Sequence, residues 1–436
     1  MADGVLAEGF KTTPYWWDLA PRPEVGDETP PARAEVVIVG SGNVGLSSAL
    51  TLTRAGREVV ILDAEAAGHG ASTRNAGYLG RNVWYKYGDM VEKIGREQAG
   101  IVSRESIAAH DFAASLIQKE QIACFYRDSG RFIAAPSQKM FDKMSKDLDL
   151  MHKDGIPVDA EMVGPDSMPG SLAPGRYWGG QILRGNGVIH AGLYHKGLLD
   201  RAVSQGAKVF GNCPAESIER DGAGFRVVTP RGTIQAGHVI VATNGYTPKA
   251  AGWLRRRVVP VDAFMIATEP LAPDLIEHVM PGGRPMIENR YTPCWMRTNE
   301  DGTRILFGGT SAEPPYHLPD KAVHLHRVMG EIAPALKDVK VSHCWTGKTA
   351  FTFDMLPHTG AHEGVEYALG WCGAGVPMGT YLGHKTALRV MGDPQAASAF
   401  DGCPFPTRPF YTGATWMLPL VVQWYKHKDR KLFRGR

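Results

Sequence analysis

About thirty residues near the start limit what this chain can fold into more than any other stretch. Glu35-Val36-Val37-Ile38-Val39 is a buried-strand run, and Gly40-Ser41-Gly42-Asn43-Val44-Gly45 after it reads G-x-G-x-x-G. The pattern predicts a helix from Asn43 to Ala55, with Leu46, Ala49 and Leu50 on one face and Gly56 placed to stop it. Glu58-Val59-Val60-Ile61-Leu62-Asp63 is a second strand, so the unit is strand, helix, parallel strand. The first glycine permits the tight turn, the second lets backbone approach a pyrophosphate, and the third lets helix and strand pack closely. The helix N-terminus offers free N–H groups and partial positive charge to the phosphates. Asp63 ends the second strand, where a carboxylate can accept from a ribose hydroxyl, and Ala64 follows it. The loop is read as binding an adenine dinucleotide. NAD and FAD share this fingerprint, and Asp63 argues only against the 2′-phosphate of NADP.

The rest of the 436 residues is predicted more coarsely. Residues 1–33 read as an irregular leader and Pro-rich linker, with Tyr15-Trp16-Trp17 able to pin it to the body. Helical texture covers 89–123 and 138–153, and Ala191 to Gly206 reads as a helix. An alternating region near 207–235 reads as a hairpin or meander, and His238 to Ala242 as a separate strand. Tyr367 to Gly370 precedes a glycine-rich turn and a helix from Met378 to Met391.

Composition removes several classes. Hydrophobic residues are 43% and charged residues 21%, ordinary values for a globular chain. The formal charge is +3, but Lys426, Lys428, Arg430, Lys431, Arg434 and Arg436 face only Asp429 in the last eleven residues. The remainder is slightly acidic, which is no nucleic-acid-binding balance, and the tail reads as a solvated end. Six cysteines, at 124, 213, 294, 344, 372 and 403, show no metal spacing and read as reduced, packed thiols, with no metal site. No secretory signal is visible. The longest apolar candidate, Gly413 to Tyr425, is short and interrupted by Pro419, so no transmembrane anchor is expected and the location is read as cytoplasmic.

Four ordered segments resemble the FAD-dependent D-amino-acid oxidase superfamily, which includes glycine oxidase, sarcosine oxidase and gamma-glutamylputrescine oxidoreductase. Gly68-His69-Gly70-Ala71-Ser72-Thr73-Arg74-Asn75-Ala76-Gly77 resembles its "GASxRNxG" segment, which runs along the FAD diphosphate and under the flavin. Val239 to Gly245, with Ala242 and Thr243, is similar to its second FAD-domain strand and turn. Trp345-Thr346-Gly347 with Asp354 to Gly360 resembles "WxG…DxLPxxG". Gly370-Trp371-Cys372-Gly373-Ala374-Gly375-Val376-Pro377-Met378 resembles the "GxxGxGxxM" turn that aims a helix N-terminus at the flavin pyrimidine, where reduced flavin carries negative charge. The tail, with Pro409-Phe410-Tyr411 and Trp416 to Pro419, is most like the gamma-glutamylputrescine branch.

The resemblance implies an α/β plus α+β fold: a Rossmann-like FAD-binding domain from non-contiguous segments (34–85, 155–248 and 345–400) and a mixed-sheet substrate domain (86–154 and 249–344). Residues 401–436 form a C-terminal extension. The implied activity is flavin-dependent oxidation of a C–N bond in a small amine, an N-substituted amino acid or an amino-acid derivative. An NAD-dependent dehydrogenase and a flavin-binding protein without amine oxidation are the alternatives. Expected partners are an amine substrate and oxygen or another electron acceptor.

Departures from the family matter as well. Glycine-oxidase-like relatives carry a carboxylate-clamping Arg two residues after the position of Gly347. Here that residue is Thr349, with Lys348 beside it, and a lysine offers only a point charge. The flavin-attaching Cys of sarcosine oxidases corresponds to Lys348, Cys344 lies four residues too early, and no His occurs between Arg74 and Gly77, so FAD is expected to be non-covalent. The oxygen-activating Lys of sarcosine oxidases corresponds to Leu306, which leaves the acceptor open. Arg290, Tyr291, Trp295, Trp371 and Lys348 are the candidates for the substrate pocket, since aromatics can hold a cationic or apolar amine. His190 and His358 read as structural.

Overall fold

The computed structural model describes residues 4–310, 314, 316–415 and 417–433. Trp416 and the basic residues Arg434 and Arg436 lie outside the described residues.

The apolar run Arg33–Val39 forms the predicted first strand, because β-branched residues buried on both faces suit a parallel sheet covered by helices. It pairs in parallel with Val59–Leu62 on one side and with Gly232–Val241 on the other. Lys208–Phe210 extends the sheet beyond Val59–Leu62, and Val365–Leu369 joins Gly232–Val241 in parallel. Gly224–Thr229 and Ser217–Asp221 continue as an antiparallel meander. The separate strand expected at His238 is the second half of Gly232–Val241. A single ten-residue strand turns from hairpin partner to parallel partner, which alternation in sequence cannot reveal. Helices Asn43–Arg54, Ala191–Ser204 and Gly375–Val390 cover the sheet, and their apolar faces share one core with helix Arg96–Lys119.

A second, nine-stranded mixed sheet holds the other core. Its long strands Val258–Thr268 and Val341–Thr352 pair antiparallel, and Ile305–Thr310 and Cys294–Thr298 follow in order. Ala160–Val163 and Gly180–Leu183 belong to this sheet, not to the Rossmann-like one, because they continue the ladder begun by Arg131–Ala134. The leader departs from its reading too: Leu6–Lys11 is a strand lying parallel on Val341–Thr352. The tail forms helix Leu418–Phe433, which docks through buried Val422 and Asp429 while Arg430 and Lys431 stay exposed. Among the described residues no helix is long and apolar enough to cross a membrane, and no cluster of three or more His, Cys, Asp or Glu could hold a metal ion.

Candidate functional site

The phosphate loop is built by steric exclusion. Gly40 sits at φ +106°, and a Cβ there would meet Ala242 O at 3.0 Å and the Thr243 methyl at 3.2 Å. A Cβ on Gly45 would lie 2.0 Å from Gly40 O, so only glycine allows helix Asn43–Arg54 to begin where it does. The loop is then tied at Ser41. Asp63 accepts from the Ser41 backbone N–H at 2.9 Å and from its hydroxyl at 2.5 Å, and Ser41 Oγ accepts from Gly68 N at 3.0 Å. The other Asp63 oxygen accepts from Glu65 N, and Ala64 is exposed beside it.

Residues 68–77 fold back over this helix N-terminus. Ser72 Oγ accepts from Asn43 N at 3.0 Å, and the Asn43 side-chain oxygen is buried there without a partner. Asn75 donates to Ala71 O and Ser72 O and accepts from Gly77 N, closing the turn on itself. Arg74 donates to His69 O at 2.6 Å and to Thr346 O at 3.0 Å, while the Trp345 indole donates to Arg74 O. Arg297, fully buried, donates one nitrogen to Ala76 O, Gly77 O and Ile189 O.

The glycine-rich turn near the C-terminus reaches the same place. Gly370, Cys372 and Gly373 all have positive φ, and the turn opens helix Gly375–Val390, where Val376 and Met378 are buried. Gly370 N donates to the Asn244 side chain, linking this turn to the one after Thr243. Helices Asn43–Arg54 and Gly375–Val390 pack in the same direction: Ser47 donates to Thr380 O, Ser48 to Gly383 O, and Thr51 meets His384. A Cβ on Gly383 would lie 2.5 Å from Val44 O, so glycine sets their close approach. Two positive helix ends therefore open on one side of the core, a donor set suited to an extended anionic dinucleotide. The glycine cradle fits such a group, and the unpartnered Asn43 oxygen can accept from one of its hydroxyl or amine donors.

Sequence reasoning missed the outer supports. The Trp16 indole donates to Asn75 O at 2.8 Å and that of Trp17 to Thr73 Oγ1 at 2.9 Å. Arg22 meets Ala67 O and His195 Nδ1, each at 3.3 Å, and His195 Nε2 donates to Ser41 O at 2.8 Å. Burial first and Arg22 second push the His195 pKa down to about 4, which keeps the ring neutral. The Tyr-Trp-Trp cluster marked a pinned leader. Arg297 and His195 carried no local signal.

The substrate candidates do not assemble as one group. Arg290 is ion-paired to buried Glu288 at 2.6 Å, and Glu288 also meets Arg176 and the Tyr177 hydroxyl. Tyr291 stacks on Tyr425, with ring centroids 5.4 Å apart. Trp371 is buried against Gly375 and Gly379 in the helical core. Lys348 lies over the Tyr246 ring, on the face of its strand opposite Thr349. Trp295 lies against Gly308 and Met265, and its indole N–H is buried without a partner. Leu306 is fully buried in a cluster with Met265, Trp345 and Trp16. Cys344 points to the sheet's other face among Phe264 and Ile266, and burial pushes its thiol up to about 12. His190 caps helix Ala191–Ser204 by accepting from Leu193 N, and His358 pairs with Asp354 at 3.0 Å.

A sequence profile described as FAD dependent oxidoreductase (DAO) matches residues 35–389. Gamma-glutamylputrescine oxidoreductase of Escherichia coli (strain K12) is 29% identical over 402 residues, covering 91% of this chain and 93% of that protein. Probable oxidoreductase OrdL of Haemophilus influenzae is 27% identical over 406 residues, covering 91% and 92%. Glycine oxidase from Geobacillus kaustophilus superposes with a TM-score of 0.71 at 21% identity, over 87% of this chain and 99% of that one. That likeness concerns the fold, and it agrees with the expected pairing of a Rossmann-like domain and a mixed sheet.

Proposed function

The chain belongs to the DAO family of FAD-dependent oxidoreductases, and from that premise we propose that it oxidises a C–N bond of a small amine or amino-acid derivative to an imine. The observation that carries this reading is the pair of parallel helices whose N-termini open beside residues 71–77. FAD, when bound, supplies the two-electron acceptor for a hydride from the carbon next to nitrogen. In this reading Gly40, Ser41, Gly42, Asn43, Val44 and Gly45 hold the diphosphate with Ser72 and Thr73, and Asp63 and Ala64 flank the ribose. Ala242 and Thr243 close the loop, and Arg74, Asn75, Ala76 and Gly77 run under the flavin. Gly373, Gly375, Val376 and Met378 present the second helix end to the charge that collects on its pyrimidine. Arg290, Tyr291, Trp371 and Lys348 are proposed to serve the substrate side, of which Tyr291 has the best claim because its ring is exposed.

The segments taken up by residues 34–85, 155–248 and 345–400 are proposed as the cofactor domain, with Ala160–Leu183 lending strands to its neighbour. The E. coli relative named for gamma-glutamylputrescine supports an amine that bears an acyl or carboxyl group at its far end. Thr349 in place of an arginine fork fits that choice, since such a substrate need not present a carboxylate next to its nitrogen. Non-covalent attachment is supported by Cys344, which faces away from Trp345 and Gly347.

Absorbance of the purified protein before and after acid precipitation, followed by anaerobic titration with amines, tests the proposal. The expected result is a flavin spectrum that moves to the supernatant and is bleached by a gamma-glutamyl or N-alkyl amine. Flavin retained in the pellet overturns non-covalent binding. A yellow protein that no amine bleaches overturns the activity.

A further inference from the structure

We infer that the C-terminal helix Leu418–Phe433 forms the outer wall of the substrate pocket and is latched there by Asp429. The inference deepens the proposed function and rests on FAD binding, not on the identity of the amine. It starts from strand alternation. Residues 345, 347, 349 and 351 share one face of Val341–Thr352, as do 259, 261, 263 and 265 of the neighbouring strand, and Ala263, Val261 and Val259 lie opposite Gly347, Thr349 and Phe351. At one end of this strip the cofactor segment touches the sheet: Trp345 donates to Arg74 O, and a Cβ on Gly347 would lie 3.0 Å from Arg74 Cβ. Two to four residues further along the same face, Val261, Val259 and Phe351 pack against Leu418 and Val422. The helix therefore sits beside residues 71–77 with Thr349 between them. Thr349 is the position where the carboxylate-clamping arginine of the relatives is missing.

The far end of the helix spans to the strand that carries Trp295. Asp429, 3% exposed, accepts from Tyr291 N at 2.8 Å, Thr292 N at 2.9 Å and Thr292 Oγ1 at 2.5 Å. Tyr425 stacks on Tyr291, and Lys428 lies 5.1 Å from the same ring. Phe433 sits under the guanidinium groups of Arg176 and Arg290. Trp295, three residues beyond Thr292, faces the strip with its buried N–H unpartnered, a donor free for a ligand. Helix, turn and strip thus enclose the sheet face next to Arg74 with aromatic rings and the Trp295 indole N–H. The wall lies outside residues 35–389, so it is an addition to the matched domain.

The test uses the FAD-loaded full chain and acrylamide quenching of the bound flavin's fluorescence, with amide hydrogen exchange at Tyr291 and Thr292 as a monitor of the latch. Asp429→Ala should speed exchange at both amides and raise the quenching constant about threefold or more, with FAD affinity unchanged. Val422→Ser, which loosens the other end, should raise quenching in the same direction. Should Asp429→Ala fail to fold, Asp429→Asn, which keeps one acceptor oxygen, should give a smaller rise. Faster exchange with quenching equal to wild type overturns the inference. Failure of the amine reading would appear separately, as flavin that no amine bleaches while the quenching differences persist.

Discussion

The Trp17 indole donates to Thr73 Oγ1 at 2.9 Å, and the Thr73 hydroxyl in turn donates to Gly68 O at 2.6 Å. A residue outside the matched family domain thereby braces the first half of the 68–77 segment. Trp17→Phe keeps the ring beside Arg74 but removes the donor. A lost hydrogen bond of this kind is worth about 1 kcal/mol, so FAD affinity should fall about fivefold. Fluorescence titration of the apoprotein measures it, and an unchanged dissociation constant would show the brace to be idle.

Gly45 and Gly42 should respond differently to alanine. The added methyl at Gly45 meets backbone, Gly40 O at 2.0 Å, and at Gly42 it meets the Ser72 hydroxyl at 2.9 Å. A hydroxyl rotates away and a backbone carbonyl fixed in a tight turn does not. Gly45→Ala is expected to purify without flavin and Gly42→Ala to retain part of it, as read from flavin absorbance per protein. The opposite order would refute the steric account.

His195 makes stability depend on pH. Its folded pKa, about 4, lies below the unfolded value near 6.5, so the unfolded chain binds the extra proton between them. The contribution is complete above pH 6.5 and is lost as pH falls toward 4, on the order of 3 kcal/mol in all. His195→Gln can still donate to Ser41 O but does not titrate. Its melting temperature should fall less than that of the wild type between pH 7 and pH 4.5. Parallel curves would place the acid sensitivity elsewhere, with His190, also pushed to about 4, the next residue to replace.

Particular residues show where sequence reading reaches its limit. Gly40 to Asp63 was legible because each requirement is local: a strand must end, a turn must be tight, and a helix must start within a few residues. The turn at 370–378 was legible for the same reason. Lys348 and Thr349 are neighbours in sequence and face opposite sides of one sheet, and only the register with Asp262 and Val261 tells which side meets Arg74. Arg290, read as a pocket residue, proves to be held by Glu288, whose carboxylate also answers Arg176. Glu288 lies only two residues before Arg290, but Arg176 lies 112 residues from Glu288, and nothing local tells that one carboxylate answers both guanidinium groups.

By itself, then, the sequence determined the dinucleotide loop, the order of the FAD-type landmarks and most of the helices and strands around them. Those follow from backbone sterics and periodicity, which act over a few residues. Tertiary structure alone decided that the leader supplies a strand and two indole donors to the cofactor segment, that Arg22 and His195 support Ser41, and that the basic tail docks through its single acid. These depend on pairs 22 to more than 300 residues apart, such as Ser41 with Asp63 and Leu6 with Val341. Packing selects such pairs only after the sheets have formed, because a buried donor or charge must find its partner wherever the fold brings one.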